Sequence, residues 1–149
     1  ITVSADEIQR YYDAQKLKKY VEAPSQVQVR RILFKISDVQ PQEPVMQRAE
    51  QVRSELLKNP KDFAKVAKEQ SEDKDSAANG GLLPYFAKGE RNEAFERKSF
   101  LLKQEGDISD LFRTPEGIEF VQLVSKKPIK YTPLADVKKE IEQTLLHQA

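Results

Sequence analysis

Residues 26–36 read QVQVRRILFKI. A β-strand sends successive side chains to opposite faces, so Val27, Val29, Arg31 and Leu33 share one face of this run. Three of the four belong in a core. The fourth is a guanidinium, and a charge in that company needs a partner. A strand over 26–36 with one misplaced cation is the feature from which the rest of the chain can be read.

Before it, the capping box Ser4-Ala5-Asp6-Glu7 starts a helix expected over Ser4 to Val21, carrying Ile8, Tyr11, Tyr12 and Leu17 until Pro24 and Ser25 break it. After it, Asp38, Pro41 and Pro44 mark a loop. Val45, Ala49, Val52 and Leu56 then recur at helical spacing over 43–58, and Asn59-Pro60 ends that helix. A second helix opens at Pro60 with Phe63, Val66 and Ala67 inward, because a proline at the first helical position loses no hydrogen bond. SEDKDSAANGG at 71–81 reads as a polar loop, LLPYF at 82–86 as a short apolar stretch, and NEAFERKSFLL at 92–102 as a short helix presenting Phe95 and Phe100. Ile108 to Phe112 and 117–127 read as two strands around a turn at Thr114-Pro115-Glu116-Gly117. A terminal helix follows Thr132 and Pro133, with Leu134, Val137, Ile141 and Leu145 on one stripe. This order implies an α+β fold with a small antiparallel sheet.

Composition narrows the function. The 25 basic and 24 acidic side chains nearly cancel, and no basic stripe is interleaved with aromatics, so nucleic acid is not an expected partner. No apolar run approaches the roughly 20 residues that span a bilayer, so no membrane contact is expected from this segment itself, although the whole protein could still be anchored. The absence of cysteine removes thiolate chemistry and disulfides, and the single histidine, His147, lies near the end of the chain; no metal site and no cofactor are expected. The acidic loop 72–81 lacks the alternating ligands of a calcium loop, and Ser71 and Ser76 have no histidine base. The chain begins ITVSADE and reads as a piece of a longer precursor.

The succession RRILFKI, AEQVRSELLKNPKDFAKVAKEQSEDKDSAANGGLLPYFAKGE, AFERKSFLLKQEGDIS and TPEGIEFVQLV resembles the parvulin family of peptidyl-prolyl cis-trans isomerases across about residues 26–125. The flanks resemble segments that join such modules to helical chaperone regions in periplasmic folding factors. The resemblance implies a four-stranded antiparallel sheet surrounded by helices, with residues 1–25 an N-terminal helical flank, 26–128 the parvulin-like domain and 129–149 a C-terminal helical flank. It also implies a groove for unfolded or proline-containing polypeptides and a periplasmic or cell-envelope location.

Carried over residue by residue, the match is uneven. Leu83 and Phe95 stand at positions of the family's apolar proline cup, Arg91 stands where a Met is common, and Phe86 and Phe100 fall at further apolar positions. The family's acidic or thiol position falls near Asp73, with Asp75 the alternative. The family motif Gly-Asp-Leu-Gly is here Gly81-Leu82-Leu83-Pro84. Both family histidines are replaced, by Arg31 in the first strand and by Glu119 in the last. Glu119 shares its face with Val121 and Leu123 as Arg31 does with Val29 and Leu33, so the two are expected to form an ion pair rather than a catalytic couple. Three functions stay open at this stage: a polypeptide-binding module with weak or absent isomerase activity, an active isomerase, and a structural or oligomerising part.

Overall fold

A computed structural model describes residues 2–148. In chain order the elements are α1 (Ala5–Lys19), β1 (Val21–Ala23), β2 (Gln26–Lys35), α2 (Gln42–Lys58), α3 (Phe63–Gln70), α4 (Lys74–Ala77), α5 (Glu93–Leu101), β3 (Phe112–Thr114), β4 (Gly117–Lys127), β5 (Lys130–Tyr131) and α6 (Leu134–Gln148). They fall into two compact units, Gln26–Lys127 and the two terminal segments together.

In the terminal unit, α1 starts on the Ser4 and Glu7 capping box, then stops at Lys19, two residues short of the expected end. Val21 and Ala23 pair instead with β5. The reason is local and non-local at once: Pro24 disfavours helix at the residue before it, and β5 supplies a partner for the β-branched Val21. Ile8 and Tyr20 pack with Val137 and Ile141 of α6, and Tyr12 stacks on Tyr20 at 5.6 Å.

The larger unit is built on an antiparallel sheet in the order β2-β4-β3. One face carries Ile32 and Phe34 of β2 with Ile118 and Phe120 of β4, packed under Val45, Ala49 and Leu56 of α2 and Phe63 and Ala67 of α3. The other face carries Val27, Val29, Val121 and Leu123, covered by Leu83, Phe86, Phe95 and Phe112. With both faces covered, β4 is buried over its first seven residues.

The expected fourth strand is not a regular one. Residues 82–86 lie along β2 through isolated bridges, Arg30 with Leu82 and Val27 with Phe86. Phe86 and Val27 exchange backbone bonds at 2.9 and 3.0 Å, and the Leu83 N–H donates to Val29 O at 3.1 Å. Pro84 between them has no N–H, which prevents a continuous ladder. The strand expected over Ile108 to Phe112 is likewise displaced: Ile108 makes only a bridge to Gln122, and regular pairing begins at Phe112. There the Ser109 hydroxyl accepts from the Val121 N–H at 3.0 Å, so a side chain replaces a ladder carbonyl. The polar loop at 71–81 is also corrected, since Lys74–Ala77 forms a turn of helix whose Ser76 and Ala77 are buried.

Candidate functional site

Register brings the two unexpected charges together. Arg31 faces Val121 and Leu33 faces Glu119, so Arg31 and Glu119 are diagonal neighbours on one face of adjacent strands. Only 6% of Arg31 and 1% of Glu119 are exposed. The guanidinium meets Oε1 of Glu119 through Nε at 3.0 Å and Nη2 at 2.7 Å, and the Thr114 hydroxyl donates to Oε2 at 2.6 Å. Burial pushes the Glu119 carboxyl above the usual carboxylate range, while Arg31 and the Thr114 hydroxyl pull it down.

Arg31 holds two further carboxylates. Nη1 lies 3.4 Å from Oδ2 of Asp73 and Nη2 lies 3.7 Å from Oε2 of the exposed Glu116. Asp73 in turn accepts from the Ser76 hydroxyl at 2.5 Å, and this contact belongs to the α4 turn. The geometry therefore separates the two aspartates: Asp73 joins the charge cluster, and Asp75 is exposed on the rim of the cleft beside it.

Arg91 arrives from the loop before α5. Asn92 caps that helix, accepting from the Ala94 and Phe95 N–H groups at 3.0 and 3.4 Å. Glu96, one turn on, reaches back and accepts from the Gly89 N–H at 2.9 Å and the Arg91 N–H at 2.7 Å. Those two backbone donors hold the Glu96 carboxyl below the usual range. So clamped, the loop lays the Arg91 guanidinium over the Phe86 ring at 5.3 Å and the Phe95 ring at 5.6 Å, with Arg31 against Phe95 at 5.4 Å. Burial, and then the neighbouring Arg31 charge, lower the Arg91 pKa from the ordinary arginine value.

The apolar positions are less open than a waiting groove. Leu83, Phe86 and Phe95 are 7%, 2% and 3% exposed, packed with one another and roofed by Arg91. Arg31 and Arg91 together line two clefts, one of about 290 Å³ with Phe95, Thr114 and Glu116, and one of about 400 Å³ with Asp73, Leu83 and Pro84. Phe100 touches Phe86 edge-on at 6.1 Å but opens into a separate cleft with Lys88 and Leu101. Among the described residues no group of three or more His, Asp or Glu side chains is placed to hold a metal ion. Sequence reasoning missed Thr114, Ser76, Glu96 and Glu116. Ser76 lies in the stretch read as a polar loop, Glu96 in a helix read only for its phenylalanines, and Thr114 and Glu116 in the turn before Glu119.

Residues 32–125 match the family described as rotamase, the PPIC-type PPIase domain, and the chain belongs to that parvulin-type family. Among curated proteins it is 35% identical to the foldase protein PrsA of Staphylococcus epidermidis over 101 residues, covering 68% of this chain and 29% of that protein. It is 32% identical to PrsA of Geobacillus kaustophilus over 130 residues, 87% of this chain and 40% of the relative. Among solved structures it is similar to a SurA-like chaperone of Campylobacter jejuni, with a TM-score of 0.69 and 26% identity over 99% of this chain and 56% of the other. PrsA of Bacillus cereus superposes with a TM-score of 0.60 at 26% identity, covering 98% of this chain and 47% of that one. The chain thus spans less than half the length of these curated relatives.

Proposed function

We propose that residues 26–128 are the polypeptide-binding module of a cell-envelope foldase, taking unfolded or proline-containing segments and catalysing prolyl isomerisation weakly or not at all. The observation that carries this reading is the Arg91 guanidinium lying on Phe86 and Phe95 in a cleft shared with the Arg31–Glu119 pair, two residues that the family resemblance matches to the histidine positions. Isomerisation breaks no bond. It requires a barrier of about 18–20 kcal/mol from amide resonance to be lowered by a surface that favours the twisted amide over the planar one. An apolar cup that accepts the proline ring is one such surface, and here a cation covers it. The charge cluster beside it is one guanidinium among three carboxylates, with no imidazole among them. The parvulin fold and the similarity to PrsA foldases and a SurA-like chaperone support polypeptide clients and an envelope location.

The test is cis-to-trans exchange of short X-Pro peptides with the whole chain and with Arg91→Met, while amide chemical shifts report contact. Shifts at Leu83 and Phe95 with exchange little or no faster than the uncatalysed rate are expected. Fast exchange with the unaltered chain would establish the alternative reading, an active isomerase in which the histidines are dispensable. No shift with any peptide would exclude a binding site there.

A further inference from the structure

Glu96 is 9% exposed, and its carboxylate forms no ion pair among the described residues; Lys88 acts on it only from a distance. A buried carboxylate needs hydrogen bonds in place of water. Both oxygens of Glu96 find them in the loop before α5, where Oε1 accepts from the Gly89 N–H at 2.9 Å and Oε2 from the Arg91 N–H at 2.7 Å. The other hydrogen bonds of residues 87–91 stay inside the loop: the Ala87 N–H donates to Oε1 of Glu90 and the Glu90 N–H to the Ala87 carbonyl, both at 3.3 Å. Gly89 and Glu90 are exposed, and the space beside Gly89 is open. Glu96 is therefore the hydrogen-bonded tie between this loop and α5, and the loop carries Arg91 onto Phe86 and Phe95.

Resting on the peptide-binding reading above, we infer that Glu96 is a positioning residue that keeps the cup closed. It holds the Arg91 backbone in the place from which the guanidinium covers both rings, so an incoming proline has to displace a fixed arginine. Glu96 lines the cleft with Lys88, Phe100 and Leu101 and neither of the two clefts that Arg91 lines, so it acts on a client only through the loop. The residue type fits the task. A carboxylate only accepts, and its two oxygens meet two N–H groups; an amide would turn its own N–H groups toward one of them, and an aspartate is one methylene too short to reach both. Freed from Glu96, Arg91 exchanges its place on the rings for water part of the time. The affinity of a client rises in proportion to the fraction of molecules whose cup is open, so loosening the loop tightens binding. A latch has the opposite sign from an ordinary structural contact, whose loss weakens binding.

The experiment is a chemical-shift titration of a capped, uncharged peptide with one proline against four whole chains: the parent, Glu96→Gln, Arg91→Met and the double variant. The Arg91 Nε–H resonance, displaced by the ring currents of Phe86 and Phe95, reports the seat of the guanidinium directly. In Glu96→Gln it is expected to move to the position of a solvated arginine, and the peptide to bind about threefold tighter than to the parent. In the Arg91→Met background the same change is expected to leave affinity unchanged or to lower it. Glu96→Asp should match Glu96→Gln and takes its place if the amide variant does not fold. An unmoved Nε–H resonance, equal or weaker binding by Glu96→Gln, or the same gain in both backgrounds would each overturn the inference and leave peptide binding intact. Absence of binding by all four chains would overturn the binding reading itself, and this inference with it.

Discussion

Removing Arg31 tests whether the buried charges depend on one another. In Arg31→Met, Glu119 is left 1% exposed with the Thr114 hydroxyl as its remaining partner. Breaking one side of such a pair costs about 3–5 kcal/mol near neutral pH. At about 4 °C per kcal/mol for a unit of this size, the melting temperature should fall by roughly 12–20 °C. Glu119→Gln should cost less, about 1–2 kcal/mol, because Arg31 keeps Asp73 and Glu116 and the amide oxygen still accepts a hydrogen bond. The double change Arg31→Met with Glu119→Leu removes both buried charges, leaves Asp73 its Ser76 hydroxyl, and should lie within about 2 kcal/mol of the parent.

The pH dependence follows with a definite sign. A carboxyl whose folded pKa is raised binds its proton more tightly when folded, so its contribution to stability is complete below the unfolded value of about 4.3 and is lost as pH rises through the folded value. Taking Arg31 away removes the cation that pulls the Glu119 pKa down. The deficit of Arg31→Met relative to the parent should therefore widen from pH 5 to pH 8 in urea denaturation. A cost under about 1 kcal/mol, or a deficit equal at both pH values, would refute the idea of a mutually dependent buried pair.

Glu96 behaves in the opposite sense: its lowered pKa contributes stability that is present above the unfolded carboxyl value and lost as pH falls through the folded one. Glu96→Gln should cost about 1–2 kcal/mol at pH 7 and progressively less as pH falls below the ordinary carboxylate range, measured by denaturation across that range, and it should loosen the loop that carries Arg91. Gly81 has φ +80° and a Cβ there would strike the Arg31 carbonyl oxygen, whereas Gly89 has φ +94° facing open space. Gly81→Ala should cost at least about 2 kcal/mol in thermal or urea unfolding and Gly89→Ala about 1, since only the first adds a backbone collision to the strain of a left-handed residue.

Elements with a strong period were written in the sequence by itself. Alternation in 26–35 and the four-three-four steps of Val45, Ala49, Val52 and Leu56 determine a strand and a helix face because burial on one side is a local geometric property. Arg31 and Glu119 were legible in the same way, each a charge on an otherwise apolar face and so a charge in want of a partner. Elements whose stability comes from distant partners were not legible. Lys74–Ala77 is too short to hold itself, and it forms where Ser76 bonds Asp73 and Asp73 meets Arg31 from another strand. Val21 left its helix for a strand paired with Lys130 and Tyr131, and Pro84 broke a ladder whose other side lies more than fifty residues away. The choice between Asp73 and Asp75, and the seat of Arg91 on two rings, rest on the same cause. Spacing along a chain says which side chains share a face, but register between strands and the clamp of Glu96 on a remote loop decide which of them meet.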